Sequence, residues 1–182
     1  MARLPSVTRE QLKPEDQKYY DEIAGSRGSV RGPYGILLHS PDLAARVGAT
    51  GAYVRFEFDL PNSLKEVVII TAAAHIKSQY EFAAHARLAR EAGVSEDTIK
   101  IIAQGKAPQG LSGDEEILVR YALELLQDRK ISDRTFNAVK NKWGDQGVVD
   151  LTVLIGHYLL VAQILTAFDV ELAPGMTAEL PD

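Results

Sequence analysis

Five residues carry side chains able to do chemistry together: Glu66, Ser78, Tyr80, Glu81 and His85. An imidazole titrates near neutral pH and can take or give a proton, while adjacent carboxylates set its tautomer and charge. Glu81 and His85 are four apart, on one face of any helix that holds both, with Tyr80 one residue round. On a single continuous helix Glu66 and His85 would be about 28 Å apart, too far to cooperate. A turn near "HIK", just before Ser78, folds the two stretches antiparallel and brings Glu66 back level with His85. The product is two carboxylates, a phenol and an imidazole around one pocket. The same residues have a plainer explanation. Ser-x-x-Glu stands at positions 63–66, 78–81 and 112–115, and that pattern marks a helix start through a reciprocal cap. Glu66 and Glu81 are then capping glutamates that also suit the helix dipole.

Three other polar residues bear on the site. Arg55, in "AYVRFEF", has a planar fork suited to a carboxylate; its alternative is a salt bridge with Glu57 or Asp59. His157, in "LIGHYLL", is expected as a core histidine that at most supports the site from behind. His75, Glu81 and His85 are two histidines and a carboxylate, but His75 falls before the turn. No metal site is expected, since no ligand cluster has a familiar spacing.

The positioning elements read as helices between short polar turns. Pro14 opens "PEDQKYYDEIA", which runs to Gly25, and the basic, glycine-rich "GSRGSVRGPYG" reads as a surface loop. Ser40-Pro41 opens a helix that "DLPNS" ends. The three Ser-x-x-Glu sites start further helices, Gly93 closes the second, Ser95 begins a short one ending at Gly105, and Ser132 caps "RTFNAVKNKW". A last helix over roughly 146–168 is apolar nearly all round, so it is either the central helix or has a face in a subunit interface. The fold expected is all-α, a single domain over 1–182 with about eight helices, a core at roughly 40–125 and a helical extension at 130–172.

The 182 residues carry a net charge of −5 with scattered basic side chains, so no nucleic-acid partner is expected. Asp150, His157 and Gln163 interrupt the most apolar run, so no membrane span is expected. The N-terminal stretch lacks a signal-peptide core, which points to the cytoplasm. With no cysteine in the sequence, thiolate metal sites and thiol redox chemistry are excluded.

The stretch "LKEVVIITAAAHIKSQYEFAAHARLAREAGVSEDTIKII" resembles the core of the carboxymuconolactone decarboxylase family, with its alkylhydroperoxidase D-like fold. The flanking "GPYGILLHSPDLAARVGATGAYVRFEFDLP" and "WGDQGVVDLTVLIGHYLLVAQILTAFDVEL" extend the resemblance over nearly the whole chain. The peroxidase branch carries Cys-x-x-Cys followed by His, with a Glu on the preceding helix. Matching His85 and Glu66 to that His and Glu puts Ser78 and Glu81 on the cysteine positions. A hydroxyl and a carboxylate cannot form the disulfide of a thiol peroxidase cycle, so that mechanism is excluded. Glu81 followed by an aromatic, with His85 four residues on, resembles the cysteine-free branch that includes the decarboxylase proper. That enzyme is typically shorter and its residues beside the glutamate differ from "QYEF", so its particular substrate is not carried over.

The resemblance implies a cofactor-free lyase or proton-transfer enzyme on a small organic acid or lactone. His85, Glu81 and Glu66 are the expected catalytic residues, and Tyr80, Arg55 and Ser78 the expected substrate contacts. Two alternatives stay open: isomerisation, hydrolysis or hydroperoxide chemistry in the same pocket without thiols, and a non-catalytic oligomeric binding protein. The resemblance also implies a homo-oligomer, trimer or hexamer.

Overall fold

The computed structural model describes residues 2–181, and among these the chain forms eight α-helices and no strand. A 3-10 turn at Pro14–Asp16 leads into α1 (Gln17–Arg27), which passes Gly25 and stops at Gly28. Gly28 there takes a left-handed φ of 73°. The glycine-rich segment is only partly the surface loop expected. It contains α2 (Pro33–Leu37), a five-residue helix buried throughout, with Pro33 at its first position. Then come α3 (Pro41–Ala52), which runs into a π-helical turn at Tyr53–Glu57, and α4 (Asn62–His75). They are followed by α5 (Gln79–Glu91), α6 (Glu96–Ala103) and α7 (Gly113–Leu123). The last, α8 (Asp133–Ala167), merges the two final helices of the sequence reading across a break at Gly144, whose φ of 71° favours glycine.

The central helix is α4, not the last one. Every residue from Leu64 to Ala73 is buried, and α4 packs on α5, α6, α7 and α8. Its aliphatic residues join two core clusters, one shared with α7 and α8, the other with α5, α6 and α7. Each such side chain contributes about 1.5–3 kcal/mol on burial. A third cluster holds α1, α2 and α3 together. The long α8 turns Leu151, Leu154, Ile155 and Tyr158 inward but leaves Val149, Val153 and Leu160 at 60%, 41% and 40% exposure. By length and composition alone α8 is long and apolar enough to cross a membrane, as the core helix of a folded domain can also be, and 56% of its most apolar stretch is buried inside the fold. Two of its three polar interruptions point inward, since Asp150 accepts a 3.2 Å hydrogen bond from the Tyr53 hydroxyl and His157 is buried, while Gln163 is exposed.

Of the three Ser-x-x-Glu patterns, one forms a capping box. At α7 the Glu115 carboxylate accepts from the Ser112 backbone N–H at 3.3 Å, and the reciprocal bond is present. At α4 the cap falls on Pro61, so Ser63 lies inside the first turn and no box exists. Ser78 does cap α5, but its side chain makes no capping bond. The two glutamates that fail to cap are the two that meet His85.

Candidate active site

The α4–α5 hairpin builds the site. Ile76 and Lys77 turn the chain, with Lys77 at a left-handed φ of 54°, and the Ser78 N–H closes back onto the Ala73 carbonyl at 2.9 Å. The helices then run side by side, and His85 Nδ1 lies 2.6 Å from Glu66 Oε2. An ionised carboxylate only accepts, so Nδ1 carries the proton and Nε2 is turned the other way. Nε2 faces Glu81 Oε2 at 3.4 Å, too long and poorly aimed to count as a hydrogen bond. All three side chains are buried, at 7%, 9% and 5% exposure for His85, Glu66 and Glu81. The edge of the Tyr158 ring closes on the imidazole, centroid to centroid 4.8 Å.

His85 and Glu81 open onto a cavity of ≈ 190 Å³. That is below the range of drug-sized ligand sites and suits a compact metabolite. Tyr80 lines it from α5, Tyr158 and His157 from α8, and Arg55 from the π-helical turn after α3. The α1–α2 segment closes the remaining side with Arg27, Arg31 and Tyr34. Arg27 is already committed. It donates to the Tyr34 hydroxyl at 2.8 Å and to the Gly48 carbonyl at 3.1 Å, and stacks over the Tyr34 ring. Arg55 forms no salt bridge among the described residues, neither with Glu57 nor with Asp59; its guanidinium lies over the Phe56 ring, 5.1 Å from the centroid.

Burial sets most of the charges. It pushes the Glu81 carboxyl up from the ordinary carboxylate value, against the opposing pull of His85 and Arg55. It likewise raises the hydroxyls of Tyr34, Tyr80 and Tyr158, which therefore keep their protons and can donate at neutral pH. His157 goes the other way: burial, and behind it the Arg27 charge, push it down to about 4, so its ring is neutral. His157 also has a tight neighbour, since a Cβ on Gly51 would lie 2.5 Å from its Nε2.

The structure thus brings together His85, Glu66, Glu81, Tyr80 and Arg55, and sets His157 on the cavity's wall. It leaves out Ser78, which is buried at the α5 cap and does not line the cavity. His75 is exposed at the end of α4, and among the described residues no group of three acidic or histidine side chains could hold a metal. Sequence reasoning missed Tyr158, Tyr34, Arg27 and Arg31. Tyr158 adjoins the histidine already singled out on an apolar helix, and the basic glycine-rich segment was visible but read as surface.

Residues 41–127 match the model of the Carboxymuconolactone decarboxylase family, a span that includes Arg55, Glu66, Tyr80, Glu81 and His85. Over that span the chain is similar to this family, and it carries no cysteine. Among solved structures, a peroxidase-related protein from Ralstonia eutropha JMP134, described as an alkylhydroperoxidase AhpD core, superposes with a TM-score of 0.78 at 15% identity, over 95% of this chain and 93% of its own. The debrominase Bmp8 was solved free and, as a cysteine-to-alanine variant, with 2,3,4-tribromopyrrole. It gives a TM-score of 0.72 at 12% identity, over 93% of this chain and 91% of its own. A protein of unknown function from Agrobacterium tumefaciens, for which an AhpD antioxidant role has been suggested, gives 0.68 at 18% identity, over 79% and 99%. These likenesses establish the AhpD-like all-α fold. No curated protein sequence matches the chain.

Proposed function

We propose that this protein is a cofactor-free lyase that decarboxylates a small organic acid, with His85 delivering a proton to carbon. The observation that carries this reading is the 2.6 Å Glu66–His85 contact, because it turns Nε2 of a buried imidazole into a cavity beside an arginine that no carboxylate pairs with among the described residues. Loss of carbon dioxide leaves the bonding electron pair on the substrate as a carbanion or dienolate. Protonated His85 gives its Nε2 proton to that carbon, and the imidazole is recharged from solvent after product leaves. Glu66 accepts from Nδ1 and stabilises the imidazolium, while the Glu81 carboxyl sits 3.4 Å from Nε2. Arg55 pairs with an acidic group of the substrate, and Tyr80 and Tyr158 donate to the oxygen on which negative charge develops. No thiol takes part.

The test is a panel of small organic and lactone acids assayed for carbon dioxide release, parent against His85→Ala. The reading predicts turnover in the parent and a loss of about 10³-fold or more in the variant, with helical content unchanged. Full activity in His85→Ala ends it.

The same reading includes self-association. Val149, Val153 and Leu160 repeat at helical spacing along the outward face of α8, and burying them between copies removes an apolar stripe from water. Sedimentation at micromolar concentration tests it, and a monomer counts against it.

A further inference from the structure

Lys65 is buried to 4% exposure in the centre of the fold, and no carboxylate pairs with it among the described residues. Burial pushes it down from the ordinary lysine value, while Asp59 and Glu66 attract its charge from a distance without pairing with it, so its direct contacts matter. Its ammonium donates to the backbone carbonyl of Arg55 at 3.1 Å and lies over the Phe58 ring. Arg55 sits in the middle of the Tyr53–Glu57 π-helical turn, which closes with the Phe58 N–H on the Tyr53 carbonyl at 2.9 Å. The helix stops two residues after Arg55, so its carbonyl has no amide four residues on to accept from. The Lys65 ammonium supplies that missing donor from the next helix.

The Arg55 side chain also has two places to go. It lines the cavity of His85 and Glu81, and equally a second cavity of ≈ 270 Å³ bounded by Lys65, Glu66, Asn62 and Glu91. The second cavity also presents two carboxylates, Glu66 engaged with His85 and Glu91 paired with Arg87. It holds as well the Phe56 ring over which the guanidinium lies, so an unrestrained turn could give Arg55 up to it. Lys65 holds the turn from that side and places its own positive charge there.

We propose that Lys65 is a positioning residue: by anchoring the Arg55 carbonyl and keeping a positive charge in the second cavity, it aims the Arg55 guanidinium at the ligand in the first. Adjacent residues of α4 then set up both halves of the site, Glu66 through His85 and Lys65 through Arg55. The inference rests on the reading of Arg55 as the residue that pairs with the substrate's acidic group.

A crystal structure of the full-length Lys65→Met protein is the direct test and needs no substrate. The expected result is an Arg55 guanidinium withdrawn from the first cavity, with the Glu66–His85 contact intact. An unmoved Arg55 overturns the proposal. With the acid identified by carbon dioxide release, Lys65→Met is expected to raise KM about tenfold and leave kcat within a factor of three. Lys65→Arg, which keeps a donor, should recover most of the change. The KM effect should vanish when Arg55→Gln is already present, because the two residues act as one unit. An equal KM effect in both backgrounds overturns the proposal. If Lys65→Met does not fold, Lys65→Gln carries the same cycle, and failure of both to fold assigns Lys65 to the fold alone. The lyase reading fails separately, through full activity of His85→Ala.

Discussion

Two imidazoles stand edge-on to the same tyrosine ring and meet opposite electrostatic surroundings. His85 lies 4.8 Å from the Tyr158 centroid with carboxylates beside both its nitrogens, whereas His157 lies 5.5 Å away with Arg27 as its charged neighbour. Both are buried, and both border the cavity. Burial and the Arg27 charge keep the His157 ring neutral. At His85 the Glu66 carboxylate instead engages Nδ1 and leaves Nε2 toward the cavity. Residue type and position in a pocket do not distinguish the two rings; the adjacent groups do.

The sharpest way to break the comparison is to exchange the losses. His85→Ala is expected to abolish turnover, by about 10³-fold or more, whereas His157→Gln should keep activity within a few-fold. Equal losses in the two variants, measured on the same substrate, would erase the distinction.

The next effect is on stability. The folded His157 holds back a proton that the unfolded chain takes up, because its value falls from 6.5 to about 4. Its contribution is whole above pH 6.5 and is lost as pH falls through that window, a change of about 3 kcal/mol. Urea titrations between pH 7 and pH 4 should show this slope in the parent and a flatter one in His157→Gln. A variant as acid-sensitive as the parent places the sensitivity elsewhere.

Tyr158, the ring the two histidines share, loses only its hydroxyl in Tyr158→Phe. The expected cost is about 10²-fold in kcat, the size of one lost donor to a developing oxyanion. An unchanged kcat would leave Tyr158 as packing against His85.

The smallest effect comes from Glu81. Its folded value is raised, so its neutral form favours folding at low pH and that contribution is lost as pH rises through the folded value. Glu81→Gln removes the penalty of a buried charge. Thermal melts should therefore show a stability gain in the variant that grows from pH 5 to pH 8, alongside a changed pH–rate profile. A gain independent of pH contradicts this account.

Much of the site was legible because its two halves are close in sequence. A cap at Ser78 implies a turn, and a turn there levels Glu66 with His85, as the hairpin does. The chemistry of the caps was not legible. Ser63-x-x-Glu66 and Ser112-x-x-Glu115 are the same pattern, but α4 starts two residues earlier than a cap at the first serine would set, which leaves Glu66 free to meet His85 across the hairpin. Tyr34 and Tyr158 reach the cavity from helices at opposite ends of the chain, and such convergence leaves no local spacing to read. The short α2 was missed for a related reason: five residues carry no helical period, and its burial comes from tertiary packing. The all-apolar α8 drew attention as the candidate centre, yet α4 fills that place despite carrying Lys65 and Glu66. Both polar residues are absorbed by partners that sequence alone does not reveal.

The central claim is that His85 gives a proton to the carbon that loses carbon dioxide, and running the reaction in D2O tests it most directly. An acid turned over by the parent should release carbon dioxide and gain one deuterium at that carbon, by NMR and mass spectrometry, and His85→Ala should yield neither. Product formed without solvent deuterium at that carbon, or labelled equally fast by His85→Ala, would contradict it.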